Sequence, residues 1–262
     1  MTADEPRWAL GAVTELLATA GARPLVVFLD YDGTLTPIVA HPEDAHLDEG
    51  GRAALAALAA RVPVAVISGR DLADVRARVG LDELIYAGSH GFEIEGPGLS
   101  HEVAPEVRAE LEQAADELRA ELPAASGLVL EPKRYGVAVH WRMTDPAAVP
   151  GIRAVVDAVI AHRPRLRLYE GKKVFELQPD LPWDKGEAVT YLLEALAEQG
   201  VTPRGLYLGD DRTDEDAFRV LRGAGASIVV WDTPRATDAG FWLRDPDEVT
   251  ELLRRLTRAL GG

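Results

Sequence analysis

The sequence contains no cysteine. Disulfide bridges and thiolate chemistry are therefore excluded, and the redox compartment is left undetermined. Basic residues are also scarce, 28 against 43 acidic ones, for a formal net charge of −15. Nucleic acid and anionic membrane both demand a basic face, so neither is expected as the main partner. An anionic substrate would have to be met by local positive charge. No apolar run approaches the length of a membrane span. The opening stretch "MTADEPRWALGAV" carries acids where a secretion signal carries bases. A cytoplasmic protein, not bound to membrane, is the expectation. What the chain does have is 262 residues that are 47% hydrophobic, ample for a real core.

That apolar content is organised in a recurring order. "RWALGAVTELLATAG" has helical apolar spacing and stops at Gly21, and "LVVFLD" is a short continuous apolar run of the kind buried in a parallel strand. Helix and strand then alternate through "GGRAALAALAARV", "VPVAVISG", "RDLADVRARVG" and "LIYAG". The alternation resumes after residue 181 with "DKGEAVTYLLEALAEQG", "LYLGD", "DEDAFRVLRG", "ASIVVWD" and "PDEVTELLRRLTRAL". Both ends of the chain are expected to build one doubly wound α/β sheet. Between them, residues 104–181 read as helix, hairpin, helix, hairpin: "PEVRAELEQAADELRAEL", "GLVLEPKRYGVAVHWR", "AAVPGIRAVVDAVIAHR" and "RLRLYEGKKVFELQP". This αββαββ order predicts an inserted α+β unit, leaving residues 1–103 and 182–262 as the α/β core.

Open parallel sheets bind ligands beyond the carboxyl ends of their strands. The residues there are Asp30 and Asp32 after "VVFL", Ser68 after "VAVI", and Asp210 with Asp211 after "LYLG". The last group opens "GDDRTDED", in which five of eight residues are acidic. Carboxylates converging from two distant segments would repel one another unless a hard cation lay between them, and oxygen donors are the set Mg²⁺ prefers. Each piece also has a plainer reading. Asp and Gly commonly serve in turns, Asp214 is suited to cap a helix, Ser68 to a turn, and Lys185 to a solvated helix start.

At these residues the sequence resembles the haloacid dehalogenase superfamily of phosphatases. "DYDGT" matches its first motif, DxDGT; Ser68 stands in place of the second, Lys185 of the third, and "GDDRTD" of the fourth. The agreement spans the chain, because members with this motif order often carry an α+β cap between the second and third motifs. The longer strings "LDYDGTLTPI", "ISGR", "GSHG" and "GDDRTDED" are similar to those of the trehalose-6-phosphate phosphatase family within it. The resemblance implies a Mg²⁺-dependent hydrolase of trehalose biosynthesis that converts trehalose 6-phosphate, a small-molecule substrate, to trehalose and phosphate.

By the same resemblance, Asp30 would be the nucleophile that becomes an aspartyl phosphate. Asp32 would act first as acid and then as base. Ser68 and Lys185 would bind the transferring phosphoryl group. Mg²⁺ would be held by Asp30, the Asp32 backbone carbonyl and Asp210, with Asp214 either a further ligand or a group that orients one, and Asp211 a weaker candidate. Substrate contacts would come from Tyr31, Gly33, Thr34, Arg70, His90 and Gly91 in the core, and from Glu131, Lys133, His140 and Glu176 in the insert. Arg142 and Lys172 are further polar residues of the insert, while His101 reads as a surface or loop histidine.

A monomer is expected. Three rival readings stay open: the same chemistry on another sugar phosphate such as sucrose 6-phosphate, a phospho-accepting receiver module, and an inactive relative that only binds a sugar phosphate.

Overall fold

The computed structural model describes residues 5–18, 23–39, 41–171, 173–198 and 202–261. It divides into two compact units, one made of Met1–His101 with Trp183–Gly262 and the other of Glu102–Pro182.

The first unit contains strands β1 (Arg7–Trp8), β2 (Leu25–Leu29), β3 (Val64–Ile67), β4 (Ile85–Gly88), β5 (Glu93–Gly96) and β6 (Leu99–Glu102). The second supplies β7 (Val129–Lys133), β8 (Gly136–His140), β9 (Leu166–Gly171) and β10 (Val174–Pro179), after which β11 (Arg204–Gly209), β12 (Ala226–Val230) and β13 (Phe241–Leu243) return to the first. The helices are α1 (Val13–Ala18), α2 (Glu49–Ala59), α3 (Leu72–Val79), α4 (Val107–Glu121), α5 (Val149–Ala161), α6 (Lys185–Glu198), α7 (Asp214–Leu221) and α8 (Pro246–Leu260).

The large sheet has the order β1-β13-β12-β11-β2-β3-β4-β5-β6. Neighbours from β1 through β4 are parallel, and β5 is antiparallel to β4. Every residue of β2 is buried because both sheet faces are covered. Leu25, Val27 and Leu29 pack into one cluster with side chains of α2, α3 and α8, whereas Val26 and Phe28 enter another with α6 and α7. From β2 the chain proceeds outward through β3 and β4; β11, β12 and β13 lie on the other side. The order therefore reverses between β2 and β11, where an open sheet leaves a crevice.

In the second unit the order is β7-β8-β10-β9, antiparallel throughout. Val137, Val139, Phe175 and Leu177 pack with Leu111 and Leu118 of α4 and Ile152 and Val156 of α5. Strand alternation then puts the polar residues on the opposite face. There Ala138 lies between Glu131 and Glu176, its partners on either side.

Two expectations need correction. Arg7 and Trp8 are not the start of a helix: they pair with Phe241 and Trp242 as an edge strand, and the helix begins only at Val13. Its expected stop, Gly21, lies outside the described residues. The sheet is also wider than the helix–strand alternation indicates, because β5 and β6 are short strands with little apolar pattern and β13 is an apolar run of only three residues. Among the described residues, no helix is long and apolar enough to cross a membrane.

Candidate active site

The ladder between β2 and β11 ends with the Asp30 amide donating to the Leu208 carbonyl at 2.9 Å. That bond sets the end of one strand beside the end of the other, so Asp30 and Asp210 face the same crevice. One carboxylate oxygen from each of Asp30, Asp210 and Asp214 lies within 4.8 Å of the others. Asp214 is fully buried as the first residue of α7. It does not cap that helix; Thr213 holds the cap position. The Asp214 Oδ2 instead accepts the Asp211 amide at 2.9 Å, and Oδ1 accepts the Tyr207 hydroxyl at 2.7 Å.

Lys185 enters the cluster from the start of α6, where Asp184 accepts the amides of Gly186 and Glu187. Far from being solvated, it is 3% exposed. Its Nζ donates to Asp30 Oδ1 at 2.8 Å and to Asp214 Oδ1 at 2.7 Å. Burial would lower the Lys185 pKa, but Asp214 and Asp30 hold it above the ordinary lysine value. Three carboxylates against one ammonium leave an excess of negative charge. Burial pushes Asp30 well above the usual carboxylate range, with Asp214 and Asp210 adding to the rise and Lys185 opposing it. Asp210 is pushed up to about 7, by burial first and then by Asp214.

The arrangement fits a hard divalent cation. The donors are all oxygen, and Asp210 Oδ1 is buried with no hydrogen-bond partner. Gly33 has φ +81°, and a Cβ there would lie 2.2 Å from Asp210 Oδ2. Glycine thus lets the turn after Asp32 close directly on the cluster. Arg235 donates to the Asp210 carbonyl and fixes it from outside.

The remaining core candidates divide into several groups. Asp32 does not join the carboxylate cluster through its side chain; both of its oxygens accept from Arg70 at 2.7 Å. Ser68 is buried, and its Oγ accepts the Arg70 amide at 3.1 Å. Thr34 is fully buried, and its Oγ1 has no hydrogen-bond partner. Tyr31 is a correction: its ring lies in the hydrophobic core and its hydroxyl donates to the Ala45 carbonyl, so that side chain is not available to a substrate. The physical reason is the turn itself, which sends Asp30 and Tyr31 to opposite sides.

Ser89 and His90 have φ of 50° and 59°, values that cost a side-chain-bearing residue roughly 1 kcal/mol or more each. In that conformation the His90 amide donates to the Ser68 carbonyl and the Ser89 amide to the Arg70 carbonyl. The strained turn thereby grips the "SGR" segment. Gly91 completes the turn against Ala188 of α6. His101 is not a loop histidine; it stacks on Tyr191 with ring centroids 4.0 Å apart.

In the second unit the polar candidates form two pairs. Lys133 Nζ donates to Glu176 Oε1 at 3.1 Å, and His140 Nε2 lies 2.7 Å from Glu131 Oε2. Arg142 is exposed. Lys172 lies outside the described residues.

The sequence reading missed Tyr207, Arg235 and Asp74, which brace Asp214, Asp210 and Arg70 respectively. Tyr207 sits in the apolar run "LYLG" and looks like any strand residue. Nothing in "DTPRAT" distinguishes Arg235. Asp74 lies at helical i,i+4 spacing from Arg70, which is the one signal available.

The family model described as Trehalose-phosphatase matches residues 28–247. A trehalose-phosphate phosphatase of Mycobacterium tuberculosis (strain ATCC 25618 / H37Rv) is 47% identical over 246 residues, covering 91% of this chain and 63% of that protein. The chain thus spans less than two thirds of that relative's length. Among solved structures, trehalose-6-phosphate phosphatase of Aspergillus fumigatus superposes with a TM-score of 0.69 at 28% identity, covering 97% of this chain and 99% of the other. A haloacid dehalogenase-like hydrolase from Bacteroides thetaiotaomicron gives a TM-score of 0.63 at 14% identity over 89% of this chain and 100% of the other, a likeness of fold alone.

Proposed function

The chain belongs to the trehalose-phosphatase family, and from that premise we propose that it hydrolyses trehalose 6-phosphate to trehalose and phosphate through an aspartyl phosphate on Asp30. The observation that carries this reading is the burial of Asp30 against Lys185 at the point where the strand order reverses, beside Asp210 and Asp214. A carboxylate is a weak nucleophile in water. Held out of solvent at the end of a rigid strand, it needs no reorganisation to attack phosphorus in line.

Each residue then has a stated task. Asp30 forms the bond to phosphorus as the bond from phosphorus to the sugar oxygen breaks. Asp32 gives that oxygen a proton, and later takes one from the water that hydrolyses the phosphoenzyme. Ser68 donates a hydrogen bond to the phosphoryl group, and Lys185 offsets its charge. Mg²⁺, held by the carboxylates of Asp30, Asp210 and Asp214 and by the Asp32 carbonyl, would neutralise phosphoryl oxygens and relieve the repulsion among the acids. His90 and the Gly33–Thr34 backbone contribute substrate contacts on the core side.

Residues 104–181 are proposed as the specificity cap. The exposed pair of Glu131 and His140 and the half-buried pair of Lys133 and Glu176 are fixed polar groups of the kind that sugar hydroxyls require. Lying on the face of the sheet opposite the helices, they present donors and acceptors together.

Phosphate release from a panel of sugar phosphates, with Mg²⁺ and with excess chelator, tests the reading. Chelator-sensitive release confined to trehalose 6-phosphate is the expected result. Release from sucrose 6-phosphate or from many substrates would keep the core chemistry and remove the substrate assignment. No release from any would favour a module that only binds or accepts phosphate.

A further inference from the structure

Resting on the phosphatase reading, we infer that Arg70 is the positioning residue for Asp32 and not the substrate contact that its place in "SGR" suggests. Its Nε donates to Asp32 Oδ2 and its Nη2 to Asp32 Oδ1, each at 2.7 Å, a parallel fork that fixes the orientation of the carboxylate as well as its place. The other side of the guanidinium is braced. Nη1 donates to Asp74 Oδ2 at 2.9 Å, Nη2 also reaches the Pro42 carbonyl at 2.8 Å, and the group lies 5.5 Å from the centre of the Tyr31 ring. Asp74 is itself held by Arg78 Nε at 2.8 and 2.9 Å, and Arg78 is tied to the Ala45 carbonyl.

Exposure shows which member of the pair is fixed. The Arg70 side chain is 11% exposed and that of Asp32 is 42% exposed. The arginine is built into the floor, and the aspartate is the group that faces the crevice. Guanidinium has donors and no acceptor, so Arg70 neither gives nor takes the reacting proton. In the first half of the cycle the proton leaves Asp32 for the bridging ester oxygen as the bond from phosphorus to that oxygen breaks and the Asp30 oxygen bonds to phosphorus. Asp32 is then a carboxylate, and both of its oxygens can accept from the fork. In the second half a water oxygen attacks phosphorus, the bond from Asp30 to phosphorus breaks, and the water proton passes to Asp32. To carry that proton, one oxygen leaves the fork while the other stays anchored.

The experiment compares Arg70→Gln and Arg70→Lys with wild type on trehalose 6-phosphate and on p-nitrophenyl phosphate, whose leaving group departs without needing a proton. Melting curves monitor folding. Because kcat/KM reports only the steps through formation of the phosphoenzyme, it isolates the acid half of the cycle. The expected result for Arg70→Gln is a fall in kcat/KM of about 100-fold on the sugar phosphate and less than about 10-fold on the aryl phosphate, with KM not raised. Arg70→Lys should recover part of the loss, and it carries the same comparison if the glutamine variant does not fold. A raised KM with kcat preserved would overturn the inference in favour of direct substrate contact. Equal losses on both substrates would overturn it in favour of a structural role. If wild type hydrolyses the aryl phosphate but not trehalose 6-phosphate, the substrate assignment fails by itself, and the comparison is read on the best alkyl phosphate of the panel. Wild type that hydrolyses neither overturns both.

Discussion

The Cα of Gly33 lies so close to Asp210 that a Cβ on the glycine would sit 2.2 Å from the Asp210 Oδ2. The turn after the first strand-end acids is therefore shaped by a carboxylate that arrives 177 residues later in the chain. Gly33→Ala should displace Asp210 and strain the left-handed backbone at φ +81°. The expected outcome is Mg²⁺ affinity weakened by tenfold or more, of the order seen when the support of a metal ligand is lost, with roughly 1–2 kcal/mol of lost stability. Titration of phosphate release with Mg²⁺ reads the first and urea unfolding the second. Unchanged Mg²⁺ affinity would remove Asp210 as a ligand.

Asp30→Asn keeps the shape of the side chain and removes its nucleophilic oxygen. Turnover should fall on the order of 10⁴-fold or more while cooperative melting is retained. Retained turnover in a variant freshly checked by mass for deamidation would rule out Asp30 as the nucleophile.

Lys185→Met replaces a buried ammonium with an apolar chain of similar length and leaves Asp30 and Asp214 without their shared cation. Removing one partner from a buried charge group costs about 3–5 kcal/mol. Urea unfolding in chelator should show a loss of that order, and saturating Mg²⁺ should restore part of it by supplying positive charge. A loss under about 1 kcal/mol would mean that the acids are neutral when Lys185 is absent.

Asp74 gives a pH test away from the carboxylate cluster. Burial works against its charged form, yet hydrogen bonds from Arg78 and Arg70 hold its pKa below the ordinary value. A depressed folded-state pKa adds stability that is present above the unfolded value, about 3.9 for aspartate, and is lost as pH falls through the folded value. The gap in urea midpoint between wild type and Asp74→Asn should therefore be constant from neutral pH to about 5 and shrink below 4. A gap that widens on acidification would contradict the assignment.

Much of this architecture was legible in the chain because its determinants are local. A parallel strand covered on both faces needs a continuous apolar run, and "LVVFL" and "LYLG" are such runs. The residue that follows falls at the carboxyl end of the sheet, so the sequence alone marks Asp30 and Asp210 as crevice residues. The paired runs in "GLVLEPKRYGVAVHWR" and "RLRLYEGKKVFELQP" likewise marked the second unit's hairpins, and the placement of Glu131 and Glu176 on one face follows from the pleat.

Other features depend on partners far away in sequence, and local pattern carries no record of them. Arg7 and Trp8 became a strand because Phe241 and Trp242 offered an open edge. Tyr31 turned into the core although both its neighbours are acids at the site, since the bend after β2 gives alternate residues to opposite sides and Ala45 offered its hydroxyl an acceptor. Ser89 and His90 took left-handed backbone in exchange for hydrogen bonds to the Ser68 and Arg70 carbonyls. The sequence by itself determined which acids end the strands and which lysine opens α6, because burial and strand termination are read from neighbours along the chain. Only the tertiary structure decided that Lys185 would lie between Asp30 and Asp214 and that Arg70 would hold Asp32, because those pairings exist only where the packed sheet brings distant side chains within hydrogen-bond reach.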